Sequence, residues 1–242
     1  MIFNKKINLR NGFTLVETLI SSTIAISLLG VVTSFIWFTS NYTSKSMKRS
    51  ELQDNVKLAL DRVERQIQEG CSILPSYTPP NGTGITDTIS SDENNIVFTV
   101  PVYKKITFEP AIMSSLDTNK NDVVFIEYKA STSKVEIGKL LFSYIPAPHS
   151  DIANHPENYA PRKQILRQVI SSLIVNSLSD SSYQAYDLFS YFNNTSDTSS
   201  LTGSNLTTTT VVEINLWGKL DNPKYKLRDN FKTRIKLRNY IK

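Results

Sequence analysis

The sequence is poor in the residues most chemistries require. Among 242 residues there is one cysteine, Cys71, and only two histidines. A lone cysteine excludes an intrachain disulfide, a C-x-x-C pair and a multi-cysteine metal site, and reads as a small apolar filler. An exported domain must then be stable without a staple, which ~150 or more residues can achieve by burial alone. The two histidines fall with an acid in the string His149, Asp151, His155, inside the proline-rich stretch 146–161. Metal ligands want rigid elements and a second layer of support, so these three are expected to be solvated loop residues. There is no G-x-S-x-G, no phosphate-binding loop and no Gly-rich dinucleotide fingerprint. With so few histidines, nucleophilic triads are poorly supplied. The expectation is a chain with no catalytic residues, no metal and no cofactor.

Two further absences are local. Between residues 13 and 38 the only charge is Glu17, and residues 18–38 carry none. Between residues 13 and 74 there is no proline. What is present is a short basic opening, residues 1–12 with Lys5, Lys6 and Arg10, followed by FTLVETLISSTIAISLLGVVTSFIWF. At 1.5 Å per residue the apolar run spans the ~30 Å of bilayer hydrocarbon. The basic flank should stay in the cytoplasm and send the bulk of the chain outside. Trp37, Phe38 and Tyr42 then mark the outer interface. A secretory signal peptide has a shorter apolar core and a small-x-small cleavage site. Here the run is too long, and the only alanine between residues 13 and 58 is Ala25. The segment is expected to be retained.

A plain anchor accounts for length and flanks but not for Gly12-Phe13 followed by Glu17. This stretch resembles the prepilin signature of the type IV pilin superfamily: a basic leader ending in Gly, an aromatic residue, a few apolar or hydroxylated residues, Glu, then an apolar helix. Residues Gly12 through Ile20 match it position by position. The resemblance implies that a prepilin peptidase cuts between Gly12 and Phe13 and that Phe13 becomes an N-methylated amino terminus. It also implies that Glu17 pairs with the amine of a neighbouring subunit during assembly. An unpaired intramembrane carboxylate is costly, so such a residue reads as functional. The alternative is that Glu17 snorkels to the headgroups.

The helix is expected to continue past the membrane. Leu52, Val56, Ala59, Leu60, Val63 and Ile67 recur at three- and four-residue steps, opposite a face with Asp54, Asp61, Arg62 and Arg65. Gly70 and Pro75 are its natural stops. An unbroken helix of ~57 residues would be ~85 Å long. Residues 75–95 read as a loop, and 162–178 is ambiguous between helix and strand. Strand patterns occupy 95–100, 122–130, 139–145 and 185–192, and 207–220 with 225–241 reads as a hairpin around Asp221-Asn222-Pro223. Strands clustered after one long helix predict an α+β fold with an antiparallel sheet. The expected division is leader 1–12, apolar helix 13–42, amphipathic helix 43–70 and a β-rich head 71–242.

The runs ALDRVERQI, LFSYF, VVEINL and IKLRN extend the resemblance towards minor pilins and pseudopilins of the PilW and GspJ type. Size and the absence of a mid-helix proline favour the same group. The net charge is +5, from 27 Lys and Arg against 22 acids, and falls to 24 against 22 without the leader. It is poor support for a nucleic-acid partner. Lys232, Arg234, Lys236 and Arg238 alternate along the last strand and form a candidate DNA or phosphate stripe. The favoured reading is the solvent face of an edge strand, where lysine blocks unwanted pairing.

The resemblance implies a non-enzymatic subunit of a type IV pilus, type II secretion or competence filament, placed in the cell (inner) membrane and then in an extracytoplasmic filament. Expected partners are other pilins, the prepilin peptidase, a platform protein, an assembly ATPase and, before assembly, membrane lipid. The alternatives are a major or DNA-uptake pilin, or a membrane-anchored extracytoplasmic binding domain that never polymerises.

Overall fold

The computed structural model describes residues 14–81, 83, 85–102, 121–130, 138–146, 166–175, 187–222 and 225–238. One helix, α1, runs Leu15–Gln68, 54 residues. The chain divides into two units, Met1–Lys48 and Arg49–Lys242.

The described residues of the first unit include the apolar part of α1. Its Leu, Ile, Val and aromatic side chains are exposed on all sides, Trp37, Phe38 and Tyr42 among them. An 18-residue window reaches a mean hydropathy of 2.1, long and apolar enough for a single membrane span or a signal. Its hydroxyls turn back onto the helix. Thr18 donates to Leu15 O at 2.9 Å, Thr23 to Leu19 O at 2.8 Å, Ser27 to Thr23 O at 2.9 Å and Thr33 to Leu29 O at 2.7 Å. Such back-bonds satisfy polar groups where water is absent.

In the second unit the remaining turns of α1 pack on a sheet. The buried side chains are Leu52, Val56, Ala59, Leu60, Val63 and Ile67, the face expected from their spacing. Full burial of one such aliphatic side chain contributes about 1.5–3 kcal/mol. The strands are β1 (Ser72–Ile73), β2 (Ser76–Tyr77), β3 (Ile89–Ser90), β4 (Asn95–Val100), β5 (Asp122–Ala130), β6 (Gly138–Ile145), β7 (Leu166–Val175), β8 (Phe189–Phe192), β9 (Val211–Asn222) and β10 (Tyr225–Lys236). The main sheet is ordered β1-β4-β5-β6-β7-β9-β10, with β8 also pairing β9, and its pairings are antiparallel. The fold is α+β.

Alternation sorts the strands into two faces. Ile96 and Phe98 of β4, Val124 and Ile126 of β5, and Val212, Ile214 and Leu216 of β9 share one core with α1. Val97, Val123, Phe125 and Ile145 form a second core with Leu74 and Ile89, which come from the segment 74–91. That segment was expected to be a loop; it carries the β2–β3 pair and covers an apolar sheet face. Ser91 fastens it, donating to Leu74 O at 2.7 Å and accepting from Val97 N at 2.9 Å.

The end of α1 is closed by backbone. Gly70 N–H donates to Ile67 O at 2.9 Å, and Arg238 N–H to Gln68 O at 3.2 Å, so two terminal carbonyls are satisfied. Space at Gly70 is tight: a Cβ there would lie 3.0 Å from both Ile67 O and the Phe98 ring. Cys71 follows, 1% exposed. Burial pushes its thiol up to about 12, which leaves it protonated and inert.

The stretch 162–178, ambiguous by pattern, contains β7, which pairs β6 through two register shifts. A bulge places successive apolar residues out of a two-residue period. Leu166, Val169 and Ile174 therefore never alternate cleanly.

Candidate assembly and processing site

Gly12 and Phe13, the expected cleavage pair, lie outside the described residues, as do His149, Asp151 and His155. The description begins at Thr14, and there the start of α1 has a defined chemistry. Glu17 N–H donates to Thr14 Oγ1 at 3.2 Å. In return, Glu17 Oε2 accepts from Thr14 N at 2.9 Å and from Thr14 Oγ1 at 3.0 Å. This is a reciprocal capping box, T-x-x-E, which satisfies two of the free donors at a helix start. Among the described residues, the other carboxylate oxygen of Glu17 has no partner. The acid also sits in the first turn, where a negative charge complements the helix dipole.

The capping role was not part of the sequence expectation for Glu17. The signal was available: a threonine three residues before a glutamate, ahead of an apolar run. The cost of a charge in an apolar run points to a different role for the same residue.

Lys232, Arg234 and Lys236 of the basic stripe lie on β10, which ends the strand order of the main sheet, and Arg238 lies two residues past its end. Register places Lys232 opposite Asn215, Arg234 opposite Glu213 and Lys236 opposite Val211. These residues occupy the face away from α1, since Ile235 between them packs in the helix-side core. Glu213 takes two of the cations. Lys232 Nζ is 2.9 Å from Oε1 and Arg234 Nε is 2.7 Å from Oε2. Arg234 Nη1 also donates to Thr195 O at 2.7 Å and Asp197 O at 3.1 Å, and its guanidinium lies 4.4 Å from the centre of the Phe192 ring. Arg234 thus ties the loop after β8 to the sheet. Lys236 and Arg238 are exposed. Glu213 was not among the expected site residues; a turn centred on 221–223 would set it opposite Phe231, and only the observed pairing of Asn222 with Tyr225 brings it opposite Arg234.

Burial pushes the Glu213 carboxyl up, but hydrogen bonds and charge from Lys232 and Arg234 outweigh it and hold the group below the usual carboxylate range. Such a group stabilises the fold while ionised. Its contribution is present above the ordinary carboxylate range and is lost as pH falls through it. Glu213→Gln is therefore expected to lower the thermal midpoint at pH 7. At a pH low enough to protonate the group in the folded chain as well, its midpoint should meet that of the unmodified chain. A deficit of equal size at both pH values would show that the ion pairs are not the cause.

A cleft of about 270 Å³ opens beside β8, lined by Asp92, Glu93, Asp187, Phe189, Tyr191 and Leu201 among others. Its groups are engaged in holding the fold. Asp92 Oδ1 accepts from Asn94 N at 2.7 Å and Asn95 N at 2.8 Å, and the Tyr191 hydroxyl donates towards Asn95 O at 2.7 Å. Burial, with Asp92 nearby, pushes the Tyr191 phenol well above its ordinary value, so it stays protonated. Among the described residues, no three potential metal-ligating side chains come together.

Comparison with family models, with curated proteins and with solved structures finds no match to this chain.

Proposed function

We propose that the chain is a non-enzymatic structural subunit of a pilin-type filament, a minor pilin or pseudopilin of a pilus, secretion or competence system. The observation that carries the reading is the continuity of α1. It starts at a Thr14–Glu17 cap directly after Gly12-Phe13, is apolar on all sides through the first unit, and becomes the amphipathic backing of a sheet in the second. A secretory signal would be discarded with its apolar core. Here the apolar segment runs without a break into the turns of the same helix that back the sheet, as expected of an anchor that is kept.

In this reading the leader is cut after Gly12, the helix holds the subunit in the membrane, and the apolar halves of neighbouring helices bury one another when the subunit is extracted. Glu17, with one oxygen in the cap, offers the other to the amine that cleavage creates. Partners are other pilins, the peptidase, the platform protein and the ATPase. Such a subunit primes assembly or sits at a tip.

Mass spectrometry of the native chain tests this. The expected mature terminus is methylated Phe13. A chain that keeps residues 1–12 in cells with active prepilin peptidase would show a simple membrane-anchored domain instead.

A further inference from the structure

We infer that the outer edge of β10 is a docking surface for an extended acidic segment of another protein, which joins the main sheet as an added antiparallel strand. The inference concerns the head alone and does not rest on the filament reading.

β10 closes the strand order of the main sheet and pairs with β9 alone. At the opposite end β1 offers two residues, whereas β10 offers twelve. A strand bonded on one side leaves the N–H and C=O groups of every second residue facing outward. Proteins disarm such an edge with a short strand, a proline, a bulge or a cover. The sequence YKLRDNFKTRIK has no proline, and it pairs with β9 in unbroken register. Among the described residues, no element other than β9 makes a backbone hydrogen bond to β10.

The strand is also held in place. Gln53 Nε2 donates to Asp229 Oδ2 at 2.5 Å, and Arg49 Nε lies 3.8 Å from the same oxygen. Lys57 Nζ stands 5.4 Å from the centre of the Phe231 ring. These contacts fasten the inner side of β10 to α1. They also partner Asp229, an acid that would otherwise repel an acidic segment.

The outer side keeps charge of one sign. Lys232, Arg234 and Lys236 follow one another at every second position. One carboxylate, Glu213, faces two of them. Lys236 stands opposite Val211. Among the described residues, Lys236 and Arg238 form no ion pair, and both are exposed. Such a row rejects a second copy, because two β10 strands side by side would set like charges together. The same row attracts a strand with acids at alternate positions. Neutral, β-branched residues between those acids would lie beside the half-buried Phe231 and Thr233. Backbone pairing supplies the affinity, and the charged row selects the partner. Antiparallel addition continues the pattern of the sheet and is the more stable pairing per residue.

The probe is a fluorescent peptide of about nine residues, within the usual strand length, alternating glutamate with valine. It is titrated against the full-length chain in detergent, and binding is followed by anisotropy and by amide exchange. The expected result is saturable binding that slows exchange at alternate amides of β10, those not bonded to β9. Two further peptides are N-methylated at every second residue, in opposite phase. Only one edge of an antiparallel peptide faces β10, so one of the two should lose affinity at least about tenfold and the other keep it. Lys236→Glu combined with Arg238→Glu should weaken the parent peptide about tenfold and leave the thermal midpoint of the chain unchanged. No saturation, equal affinity of the two methylated peptides, or indifference to the charge reversal would each overturn the inference. So would alternate-amide protection that grows with concentration of the chain alone, which would place a second copy on the edge. Duplex DNA that binds more tightly than the peptide, with those amides left unprotected, would assign the row to phosphates and overturn it as well.

Discussion

Gly218→Val is expected to prevent the head domain from folding, and Gly218→Ala to destabilise it measurably. Gly218 lies in β9, between Asp229 of β10 and Ile174 of β7 in the sheet. A Cβ at this position would stand 2.2 Å from Val56 Cγ2 and 3.0 Å from Leu52 Cδ1. Both neighbours are fully buried, and a β-branched residue in a helix has essentially one rotamer. Val56 cannot swing aside, so strand and helix must separate. Overpacking by a methyl group costs about 1–3 kcal/mol. A valine adds two more carbons at the closest point of the interface, against a total stability on the order of 5–15 kcal/mol. The decisive comparison is a double-mutant cycle with Val56→Ala. Alone, that change leaves a small cavity. Combined with Gly218→Ala it takes two carbons from the helix and places one on the strand in the space they leave, and the pair should be more stable than the sum of the single effects by about 1 kcal/mol or more. Denaturant midpoints of the detergent-solubilised chain, read by amide exchange in β9, give the four corners. Strict additivity would mean that α1 and β9 do not approach as closely as their packing requires.

That interface shows which parts of the fold are legible in the sequence. The helix was readable because its signal is redundant. Six apolar residues recur at helical steps, no proline interrupts, and Gly70 with Pro75 stops it; the expected ~57 residues compare with 54. β4 and β5 were readable because each is a β-branched, aromatic run with polar neighbours, and both begin and end where the pattern placed them. β7 was not, since its two bulges destroy the period on which a strand is recognised. The cover formed by 74–91 was hidden for a different reason. Its apolar residues are sparse, and their burial depends on the second face of a sheet that is assembled from distant strands. Gly218 could not be recognised either, because a glycine in a strand pattern signals close approach without naming what approaches. At the candidate site the Thr14–Glu17 cap is local, with its two partners three residues apart. The Glu213 clamp on Lys232 and Arg234 needs the β9–β10 register before it exists.

Glu17→Gln is expected to leave leader processing intact and to reduce incorporation into filaments by about tenfold or more, as much as Glu17→Ala. The two substitutions separate the roles that Glu17 combines. Glutamine at the third helical position still accepts from the capping residue, so the box with Thr14 survives while the charge is lost. Thr14→Ala does the reverse: it removes the hydroxyl that binds Glu17 N–H at 3.2 Å and leaves the carboxylate. If the charge of Glu17 draws in the amine of an arriving subunit, Glu17→Gln fails to assemble and Thr14→Ala assembles with at most a modest loss. If the carboxylate serves only to start the helix, the order inverts. Glutamine is then tolerated, and Thr14→Ala loses as much as Glu17→Ala. Immunoblots of sheared filaments, normalised to processed chain in membranes, read the ratio directly. The charge-dependent outcome is expected because the cap engages only one carboxylate oxygen. A neutral side chain would serve the cap without the cost of a charge in an apolar layer. A carboxylate in that layer is costly without a cation to meet it, and in the filament reading proposed above a cut after Gly12 would supply one.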